Sequence, residues 1–335
     1  MTTSVVVVAY GAMPLLSDAL GALLQADGVD EIVVVDNGMD EDTRASLPTE
    51  ARVVIAGDGA NLGFAGGCNA GVAVSRGEIV AFVNPDLVVE PSAIASLRSV
   101  AERAGVGFVT GQVRLAGERE RLNAAGGVLH FTGLGWSQHF GDPVAAAGDA
   151  RPSPIMSGAL AAVRREVFDD VGGFADELFL YHEDAELSLR AWLRGYENRF
   201  EPSSIGWHHY EFSRNLAKLY HLERNRLYVL AVCFPLRAVL LALPALLLYE
   251  LGIVAVAAKE GWLRDKARGW LWLARHRSLV RERRVRAREA CTRSDREFAS
   301  LLAEHFDAGN YELSRALRAA DRVLSRYWRA VRRFA

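Results

Sequence analysis

The sequence predicts an α/β fold: a doubly wound, mostly parallel sheet with helices on both faces, followed by a C-terminal helical region. Short apolar, β-branched runs recur early in the chain, at residues 4–10, 31–37, 52–56 and 78–84. Near-continuous hydrophobicity is typical of strands that are covered on both faces. Helical patterns alternate with these runs at 14–26, 67–75 and 92–103, and such alternation favours a doubly wound sheet. Residues 107–165 predict a mixed region with hairpins.

A long apolar run predicts the character of the C-terminal region. Residues 238–258 contain a single charge, Glu250, and a single proline, Pro244. Their length would just span a bilayer, although a charge costs roughly 2.5–3.5 kcal/mol at the centre of an inserted helix. Residues 259–294 follow with 12 Lys+Arg, 4 Asp+Glu and three tryptophans, which suits the headgroup region. We expect residues 229–294 to contact a membrane surface; the alternative is a buried core helix followed by a solvated basic helix.

The formal charge is small overall but unevenly distributed. The 335 residues carry a net charge of −2; residues 1–150 contain 8 Lys+Arg and 18 Asp+Glu, and residues 151–335 contain 31 and 23. The basic part is expected to face something anionic, such as phospholipid or a phosphorylated substrate. No nucleic-acid partner is expected, because no helix-turn-helix, zinc-finger or aromatic RNA-binding signature occurs. The three cysteines lie far apart, which indicates a reducing compartment.

Polar residues follow three of the predicted strands. Asp36 and Asn37 end the second strand, residues 84–86 (NPD) follow the fourth, and the glycine-rich stretch 61–71 follows the third. Ligands of doubly wound sheets bind at the carboxyl ends of strands. The same residues are also good turn formers. Neither a GxxxxGK[ST] loop nor a GxGxxG motif is present.

Three acids, Glu183, Asp184 and Glu186, stand at the start of an apolar helical pattern that ends near Gly195. Acids at a helix N-terminus can cap free N–H groups and interact favourably with the helix dipole. They can also supply catalytic carboxylates at the rim of a sheet. The pattern alone leaves both interpretations open.

Seven short motifs occur in the order and at the approximate spacing of a known enzyme family. They are AYG at 9–11, VDN at 35–37, NLGFAGGCN at 61–69, VNPD at 83–86, GGF at 172–174, FLYHED at 179–184 and His208. The series resembles family 2 glycosyltransferases of the GT-A fold, and within them the bacterial rhamnosyltransferase and galactofuranosyltransferase branch that builds cell-surface polysaccharides. The resemblance extends over residues 3–228. It implies a catalytic domain at 1–228 and a membrane-associated helical region at 229–335.

The resemblance implies catalytic roles for two of the acids. Asp184 matches the general base that deprotonates the acceptor hydroxyl, and Glu183 matches its supporting neighbour. A carboxylate in that role must lie within about 2.6–3.2 Å of the hydroxyl. The two do not form a glycosidase pair, because sequence neighbours point in different directions and such a pair flanks one bond.

A divalent cation, Mn²⁺ or Mg²⁺, is implied in the same way. Asp86 matches the last acid of the metal-binding DxD position, where Asn84 replaces the first acid. His208 falls where the family often adds a histidine ligand, and His209 is the alternative; either could also be a packing or surface histidine. Mn²⁺ accepts mixed carboxylate and imidazole ligands, whereas Mg²⁺ prefers oxygen.

Further residues are implied in donor binding. Asp36 would accept a hydrogen bond from the N3–H of uracil or thymine, and Asp86 would reach the donor diphosphate through the metal. The remaining residues implied in the donor site are Ala9 and Tyr10 beside the base, Asn61, Gly63 and Asn69 along the nucleotide-sugar pocket, and Ser157 and Gly158 on a sugar- or acceptor-side wall, which could instead be a simple turn. Weaker candidates are Asp58, Arg224 and Arg226; the two arginines could contact phosphates or merely lead into the C-terminal region.

The resemblance as a whole implies an inverting glycosyltransferase at the cytoplasmic face of a bacterial membrane, peripheral or monotopic. Its donor would be a dTDP- or UDP-sugar and its acceptor a lipid-linked or polysaccharide glycan; homo-oligomer formation stays open. Two alternatives belong to other classes. One is a catalytically silent scaffold that binds nucleotide sugar or glycan at the membrane. The other is a nucleotidyltransferase, which is disfavoured because the loop after the first strand contains no Lys or Arg.

Overall fold

The structure, a computed structural model, describes residues 1–209, 216–289, 291–307 and 315–335. The resemblance over residues 3–228 therefore includes residues 210–215, which lie outside the described residues. The described chain contains the following strands: β1 (Thr3–Gly11), β2 (Glu31–Met39), β3 (Val53–Ala56), β4 (Ile79–Val83), β5 (Leu87–Val89), β6 (Val106–Leu115), β7 (Leu122–Ala125), β8 (Gly127–Leu129), β9 (Gly135–Ser137), β10 (Arg151–Pro152), β11 (Leu160–Arg164) and β12 (Glu197–His208).

The described α-helices alternate with the strands early in the chain and follow one another late in it. They are α1 (Leu16–Gln25), α2 (Glu41–Ala45), α3 (Gly63–Val74), α4 (Ala93–Ala101), α5 (Arg165–Val171), α6 (Glu183–Leu193), α7 (Leu216–Cys233), α8 (Leu236–Glu260), α9 (Leu263–Arg275), α10 (Arg277–Glu289), α11 (Asp295–Leu301) and α12 (Arg315–Val331).

The chain separates into two compact units. Unit 1 comprises Met1–Gly127, Ser137–Trp192 and Tyr196–Glu211, and unit 2 comprises Val128–Trp136, Leu193–Gly195 and Phe212–Ala335. Helix α7 continues through residue 228. The division into domains at residue 228 stays a prediction.

The sheet of unit 1 has the predicted mixed α/β character. Its strand order is β10-β12-β6-β11-β4-β1-β2-β3, with β5 beside β12 and β7 beside β6. The four predicted strands, β4, β1, β2 and β3, are parallel neighbours. Strand β11 runs antiparallel between β4 and β6, whereas β6 and β12 are parallel. The predicted α/β class with a mostly parallel sheet is confirmed.

The sheet is covered on both faces, which accounts for the unbroken valine run of β1. Val5 and Val7 pack in a core with residues of α1 and α4. Val6 and Val8 pack in a second core with residues of α3, α5 and α6. Successive side chains of a strand point to opposite faces, so both halves of the run are buried.

Helix α3 begins at Gly63, earlier than the predicted start at 67. The side chains of Asn37 and Asn61 accept hydrogen bonds from the backbone N–H groups of Leu62 and Gly63. These amides have no partner inside a helix, because the first four N–H groups of any helix lack one. The side-chain acceptors therefore stabilise an earlier helix start than the apolar pattern predicts.

Unit 2 consists of α7–α12 and a hairpin formed by β8 and β9. Arg284 of α10 donates to the carbonyl oxygens of Ala231 and Phe234 at 2.7 and 2.9 Å, which satisfies acceptors at the C-terminal end of α7. Among the described residues, α8 is the helix that is long and apolar enough to cross a membrane, and only 17% of its most apolar window is buried.

Candidate active site

The end of β2 carries Asp36, whose carboxylate is buried. Its Oδ1 atom accepts hydrogen bonds from the backbone N–H groups of Gly38 and Met39 at 3.1 and 3.0 Å, and its Oδ2 atom pairs with Arg44 of α2. Burial by itself raises the pKa of Asp36, but these hydrogen bonds and the Arg44 charge outweigh it and hold the pKa below its usual value. Asp36 is therefore ionised at neutral pH.

The neighbouring residue Asn37 joins β2 to the start of α3. Its amide N–H group donates to Asn61 Oδ1 and to the Gly63 carbonyl oxygen, both at 3.3 Å. Gly63 has a positive φ of 71°, and a Cβ atom there would lie 2.4 Å from the carbonyl oxygen of Phe179. Only glycine fits this position. The loop at 61–63 and the segment before α6 are thus in direct contact.

Asn69 lies further along α3 and faces the loop before α6. Its amide nitrogen donates to the Phe174 carbonyl and to Asp176, and its Oδ1 atom accepts from the Phe174 N–H at 2.9 Å. A Cβ atom on Gly173 would lie 2.8 Å from that Oδ1 atom. The GGF motif is therefore held against α3 by Asn69. The expected contact of Asn69 with a donor stays a prediction.

Asp86 and His208 meet although they are far apart in sequence. Strand β5 pairs antiparallel with β12, and His208 stands opposite Leu87. This register places Asp86 Oδ1 3.1 Å from His208 Nε2. The His209 backbone N–H donates to the Asp86 carbonyl oxygen at 3.1 Å. Of the two predicted histidines, His208 presents its ring to the Asp86 carboxylate.

A buried asparagine on β7 orients the His208 ring. Asn123 Oδ1 lies 3.0 Å from His208 Nδ1, so Nδ1 carries the hydrogen and donates it. In the neutral imidazole the lone pair is then on Nε2, which faces Asp86 Oδ1, another acceptor. Two acceptors at this distance need a cation or a proton between them, and two ligands at right angles on a cation with bonds of about 2.1 Å lie about 3.0 Å apart. The pair therefore fits a divalent cation.

The described residues contain no cluster of three or more His, Cys, Asp or Glu side chains with metal-ligand geometry. Asn84 replaces a carboxylate here; its Nδ2 atom lies 3.5 Å from His208 Nε2. A cation at this site would therefore take its remaining ligands from water or from a bound anion.

The backbone that leads into α6 is strained. Phe179, Tyr181 and His182 have positive φ angles of 64°, 68° and 65°. Side chains with a Cβ rarely adopt this region, and such residues cluster at functional sites. The strained segment ends at His182, whose carbonyl accepts the N–H of Glu186 and opens the helix.

The three acids at the start of α6 have three different environments. Glu186 is fully buried and paired with Arg190, which also donates to the carbonyl oxygens of Val171 and Gly173. This pair ties α6 to the GGF loop. Glu186 therefore has a structural role as half of an ion pair, and the interpretation of the acids as helix caps stays a prediction.

Glu183 is buried, and its Oε2 atom has no hydrogen-bond partner among the described residues. Burial, followed by the nearby Asp184 charge, raises the pKa of Glu183 to about 8. The side chain is therefore mostly protonated at neutral pH, so it adds little negative charge beside Asp184.

Asp184 is partly exposed and lies beside Gly158. A Cβ atom on Gly158 would lie 3.9 Å from the Asp184 Cβ and 3.1 Å from the ring of Phe64. Burial raises the pKa of Asp184, and hydrogen bonds from the backbone of Ala185 and Gly158 partly oppose this. A raised pKa makes the carboxylate a better proton acceptor than an ordinary aspartate.

A series of contacts connects Asp184 with the Asp86–His208 pair. From Asp184 it runs to Gly158; the next residue, Ala159, accepts the Asn84 backbone N–H at 3.0 Å; and the Asn84 side chain reaches His208. Ser157 stands in the same turn, where its N–H donates to Thr110 at 3.0 Å. The ends of β4 and β12, the turn before β11 and the start of α6 thus form one site.

The remaining candidates lie in varied surroundings. At the end of β1, Ala9 is buried and Tyr10 is half exposed, and the Tyr10 ring lies 3.4 Å from where a Cβ on Gly38 would stand. Asp58 accepts the Ala60 N–H in an exposed turn. In unit 2, Arg224 lies over the Trp272 ring, and Arg226 is buried among acidic partners.

Two residues that hold this site together were not predicted as members of it. Asn123 orients His208, and Phe64 packs on Gly158 beside Asp184. The sequence offers little signal for Asn123, because its role depends on the pairing of β7 with β6, and it lies 85 residues before His208.

Comparison with known proteins identifies the family of the chain. The model of the family described as glycosyl transferase family 2 matches residues 4–172, about half of the chain. N-acetylglucosaminyl-diphospho-decaprenol L-rhamnosyltransferase of Mycobacterium tuberculosis is 28% identical over 250 residues, which cover 66% of this chain and 80% of that protein. The uncharacterized protein y4gI of Sinorhizobium fredii is 32% identical over 197 residues, which cover 55% of this chain but 22% of that protein.

Solved structures share the fold. GalNAc-T7 with UDP, GalNAc and Mn²⁺ superposes with a TM-score of 0.57 at 18% identity, covering 69% of this chain and 48% of that one. The mannosyltransferase PcManGT of Pyrobaculum calidifontis, in complex with GDP-Man and Mn²⁺, gives 0.54 at 18% identity and covers 86% and 85%. At this identity the likeness shows the fold alone. Together with the family match, it confirms the resemblance read from the motifs: the chain belongs to glycosyl transferase family 2 and has the GT-A fold.

Proposed function

We propose that this protein is an inverting glycosyltransferase that moves a sugar from a dTDP- or UDP-sugar to a lipid-linked or polysaccharide acceptor in cell-surface glycan synthesis. The observation that carries the proposal is the Asp86–His208 pair, 3.1 Å apart at the strand ends and joined through residues 158–159 to Asp184. Membership of the family supports the class of reaction. The rhamnosyltransferase relative favours rhamnose as the sugar, with galactofuranose as the alternative.

Asp184 acts as the general base in this proposal. Its carboxylate takes the proton of the acceptor hydroxyl while the hydroxyl oxygen forms a bond to the sugar C1 carbon. The bond from C1 to the donor phosphate breaks, and its electron pair leaves with the diphosphate. The raised pKa of Asp184 suits this proton transfer. Attack from the face opposite the leaving group inverts the anomeric centre.

Glu183 supports the base by being mostly uncharged. A second carboxylate charge beside Asp184 would oppose the approach of a donor with an anionic diphosphate. Because burial keeps Glu183 protonated to about pH 8, the rim of the site carries one negative charge there rather than two.

Asp86 and His208 would hold a divalent cation, Mn²⁺ or Mg²⁺, whose bound form neutralises the diphosphate and acts as a Lewis acid for its departure. Mixed oxygen and imidazole ligands favour Mn²⁺. Asn123 would hold the His208 ring in the orientation that turns Nε2 toward Asp86. The two GT-A structures determined with Mn²⁺ agree with this choice.

The donor's base is proposed to lie at the end of β2. Asp36, ionised and fixed by two backbone N–H groups, would accept the base N3–H, with Ala9 and Tyr10 beside the ring. Asn61, Gly63 and Asn69 would border the nucleotide sugar along α3. Ser157 and Gly158 would form the wall on the side of the transferred sugar.

The relative from M. tuberculosis has a name that specifies a diphospho-decaprenol substrate. A lipid-linked acceptor for the present protein would be held in a membrane. We therefore place the enzyme at the cytoplasmic face of the cell membrane, attached through residues 229–294.

Transfer can be tested directly with purified protein, Mn²⁺, a dTDP- or UDP-sugar and a short-chain polyprenyl diphosphate glycan. Release of nucleoside diphosphate together with a lengthened lipid glycan is the expected result. Saturable nucleotide-sugar binding without any transfer, across a panel of acceptors, would instead favour a silent scaffold.

A further inference from the structure

In helix α8 (Leu236–Glu260) the pattern of burial is the reverse of that in a helix packed on the core of a water-soluble protein. Most leucines of α8 face outward: Leu240, Leu247 and Leu251 are 58%, 57% and 68% exposed. Several of its alanines face inward: Ala238, Ala242 and Ala245 are no more than 1% exposed. A soluble helix gains stability by burying leucine, at about 1.5–3 kcal/mol for each side chain. This face is therefore suited to contact an apolar partner beyond the described residues.

The exposed face of α8 lacks charge along its length. Between Arg237 and Lys259, which are both exposed, the one charged residue is Glu250. The Glu250 side chain is only 23% exposed and is paired. An apolar stripe with basic residues at both ends suits the boundary between acyl chains and headgroups, where lysine and arginine reach back to the headgroups.

A buried ion-pair network fixes α8 to its neighbours within unit 2. Glu250 of α8 pairs with Arg226 of α7 and, at 2.8 Å, with Lys266 of α9. Glu223 of α7 pairs with the same two cations at 3.0 and 2.7 Å. Two cations and two carboxylates balance one another. On the inner side of α8, Tyr327 of α12 also donates to the Leu241 carbonyl oxygen at 2.8 Å.

This network opposes a crossing of the bilayer by α8. A spanning helix would have to leave α7 and α9, which strands Glu250 in hydrocarbon and leaves Arg226 and Lys266 with a single carboxylate. Alternatively the paired charges would have to enter the hydrocarbon with it. Both routes are costly. Remaining packed on α7 and α9 leaves the network intact and the leucine face outward.

We infer that α8 lies in the plane of an anionic lipid bilayer, with its leucine face among the acyl chains and the Glu250 network on its protein side. The partner is a lipid surface rather than a second copy of the chain, because the adjoining residues 259–294 carry 12 Lys+Arg against 4 Asp+Glu and complement anionic headgroups. The inference rests on the proposed membrane attachment and adds its geometry. It places the acceptor's lipid diphosphate at the bilayer surface beside unit 2.

The first test is binding of the full chain to vesicles of phosphatidylcholine with phosphatidylglycerol, measured by flotation. Leu247→Glu and Leu251→Glu should each weaken binding by about tenfold or more, because one leucine no longer enters the acyl region. Ile55→Glu is the matched control: Ile55 is 52% exposed on β3 of unit 1, and its substitution should leave binding unchanged. Equal binding by all four proteins would overturn the lipid surface.

The second test distinguishes an α8 helix that lies in the plane of the bilayer from one that crosses it. Nitroxide labels are placed on cysteines introduced at Leu240, Leu247 and Leu251, in a Cys291→Ser background, since Cys68 and Cys233 are buried. Accessibility to oxygen and to a nickel chelate then reports depth. The three labels should share one shallow depth of about 5–10 Å below the headgroups. A label at Leu247 near the bilayer centre, with its neighbours shallower on opposite sides, would contradict the in-plane arrangement.

Two further readouts keep the possible failures apart. If the protein ignores vesicles and forms a dimer that Leu247→Glu dissociates, the leucine face binds a second copy and the lipid inference is wrong. Nucleotide-sugar binding, measured on the same variants, reports on unit 1. A wild type that binds nucleotide sugar but no vesicles would contradict this inference. A wild type that binds no nucleotide sugar would contradict the proposed function.

Discussion

Unit 1 and unit 2 each bury a glutamate, and the two carboxyl groups behave in opposite ways. Glu183 of unit 1 has an oxygen without a hydrogen-bond partner among the described residues, and burial raises its pKa to about 8. For Glu223 of unit 2, burial also opposes the charge, but Arg226 and Lys266 outweigh it and lower the pKa to about 2. Burial with no cation among the described residues leaves a neutral acid beside the proposed base, whereas burial with two cations leaves a structural ion pair.

The largest expected effect tests the carboxyl groups of Asp184 and Glu183 in unit 1. Asp184→Asn should keep nucleotide-sugar binding but lower the transfer rate by about 10²–10⁴-fold, because the amide cannot accept the acceptor proton. Glu183→Gln is the matched control; it copies the neutral acid and should change the rate only a few-fold. Single-turnover rates and donor affinity measured on both variants check this. Full activity of Asp184→Asn would remove Asp184 as the base.

The next effect tests the buried ion-pair network of unit 2, in which Glu223 and Glu250 pair with Arg226 and Lys266. Lys266→Met leaves Glu223 and Glu250 to share Arg226 and should lower the opening free energy of α8 by about 3–5 kcal/mol, the usual cost of breaking a buried pair. Hydrogen exchange of the α8 amides measures it. Lys259→Met, at an exposed position on the same helix, should have almost no effect. Similar exchange in both variants would show that the network does not hold α8.

A smaller effect concerns the orientation of His208. Asn123→Leu removes the acceptor at Nδ1 and should weaken Mn²⁺ binding by about 10–100-fold, as expected for the loss of a partner that orients a metal ligand. Calorimetry of Mn²⁺ binding measures it without reference to turnover. Gln112→Leu changes another buried amide on the adjacent strand β6 and serves as the control. Unaltered Mn²⁺ affinity in Asn123→Leu would mean that the ring is oriented by other contacts.

The smallest effect is a difference in pH dependence between the units. The folded-state pKa of Glu183 is raised, so acidification from pH 8 toward the ordinary value of about 4.3 should stabilise α6 more in the wild type than in Glu183→Gln, where only the raised pKa of Asp184 remains. The folded-state pKa of Glu223 is lowered, so its contribution is present above about 4.3 and lost as the pH falls toward 2. Hydrogen exchange of α6 and α9, corrected for intrinsic rates, compares the two. The same trend in both units would contradict the assigned protonation states.

Local patterns predicted much of unit 1 correctly. The four parallel strands and α6 have boundaries within a few residues of those expected, because continuous apolar runs and a 3.6-residue period are local signals. The end of α6 at Leu193, just before Gly195 with its φ of 102°, was predicted from the glycine. The predicted start of α3 was wrong, because the side chain of Asn37, 25 residues before Leu62, joins that of Asn61 in accepting hydrogen bonds from the first amides of the helix.

The different environments of Glu183, Asp184 and Glu186 could not be predicted from the sequence. Glu183 and Glu186 are the same residue type, but Glu186 pairs with Arg190 one turn later, whereas Glu183 meets no cation in the part of the chain that the structure describes. The difference depends on the rotation of α6 against the sheet. The position of Arg226 three residues after Glu223 was a usable signal for an ion pair. The contact of Asn123 with His208 depends on strand pairing and has no local signature.

The most direct test of the central claim is calorimetric titration of the full chain with dTDP- and UDP-sugars, with and without Mn²⁺, in the wild type and in Asp86→Ala. We predict saturable binding of one donor that strengthens with Mn²⁺ in the wild type and loses that response in Asp86→Ala. A folded protein that binds none of these donors, or an Mn²⁺ response that is unchanged in Asp86→Ala, would contradict the assignment of the strand-end site as the centre of a nucleotide-sugar transferase.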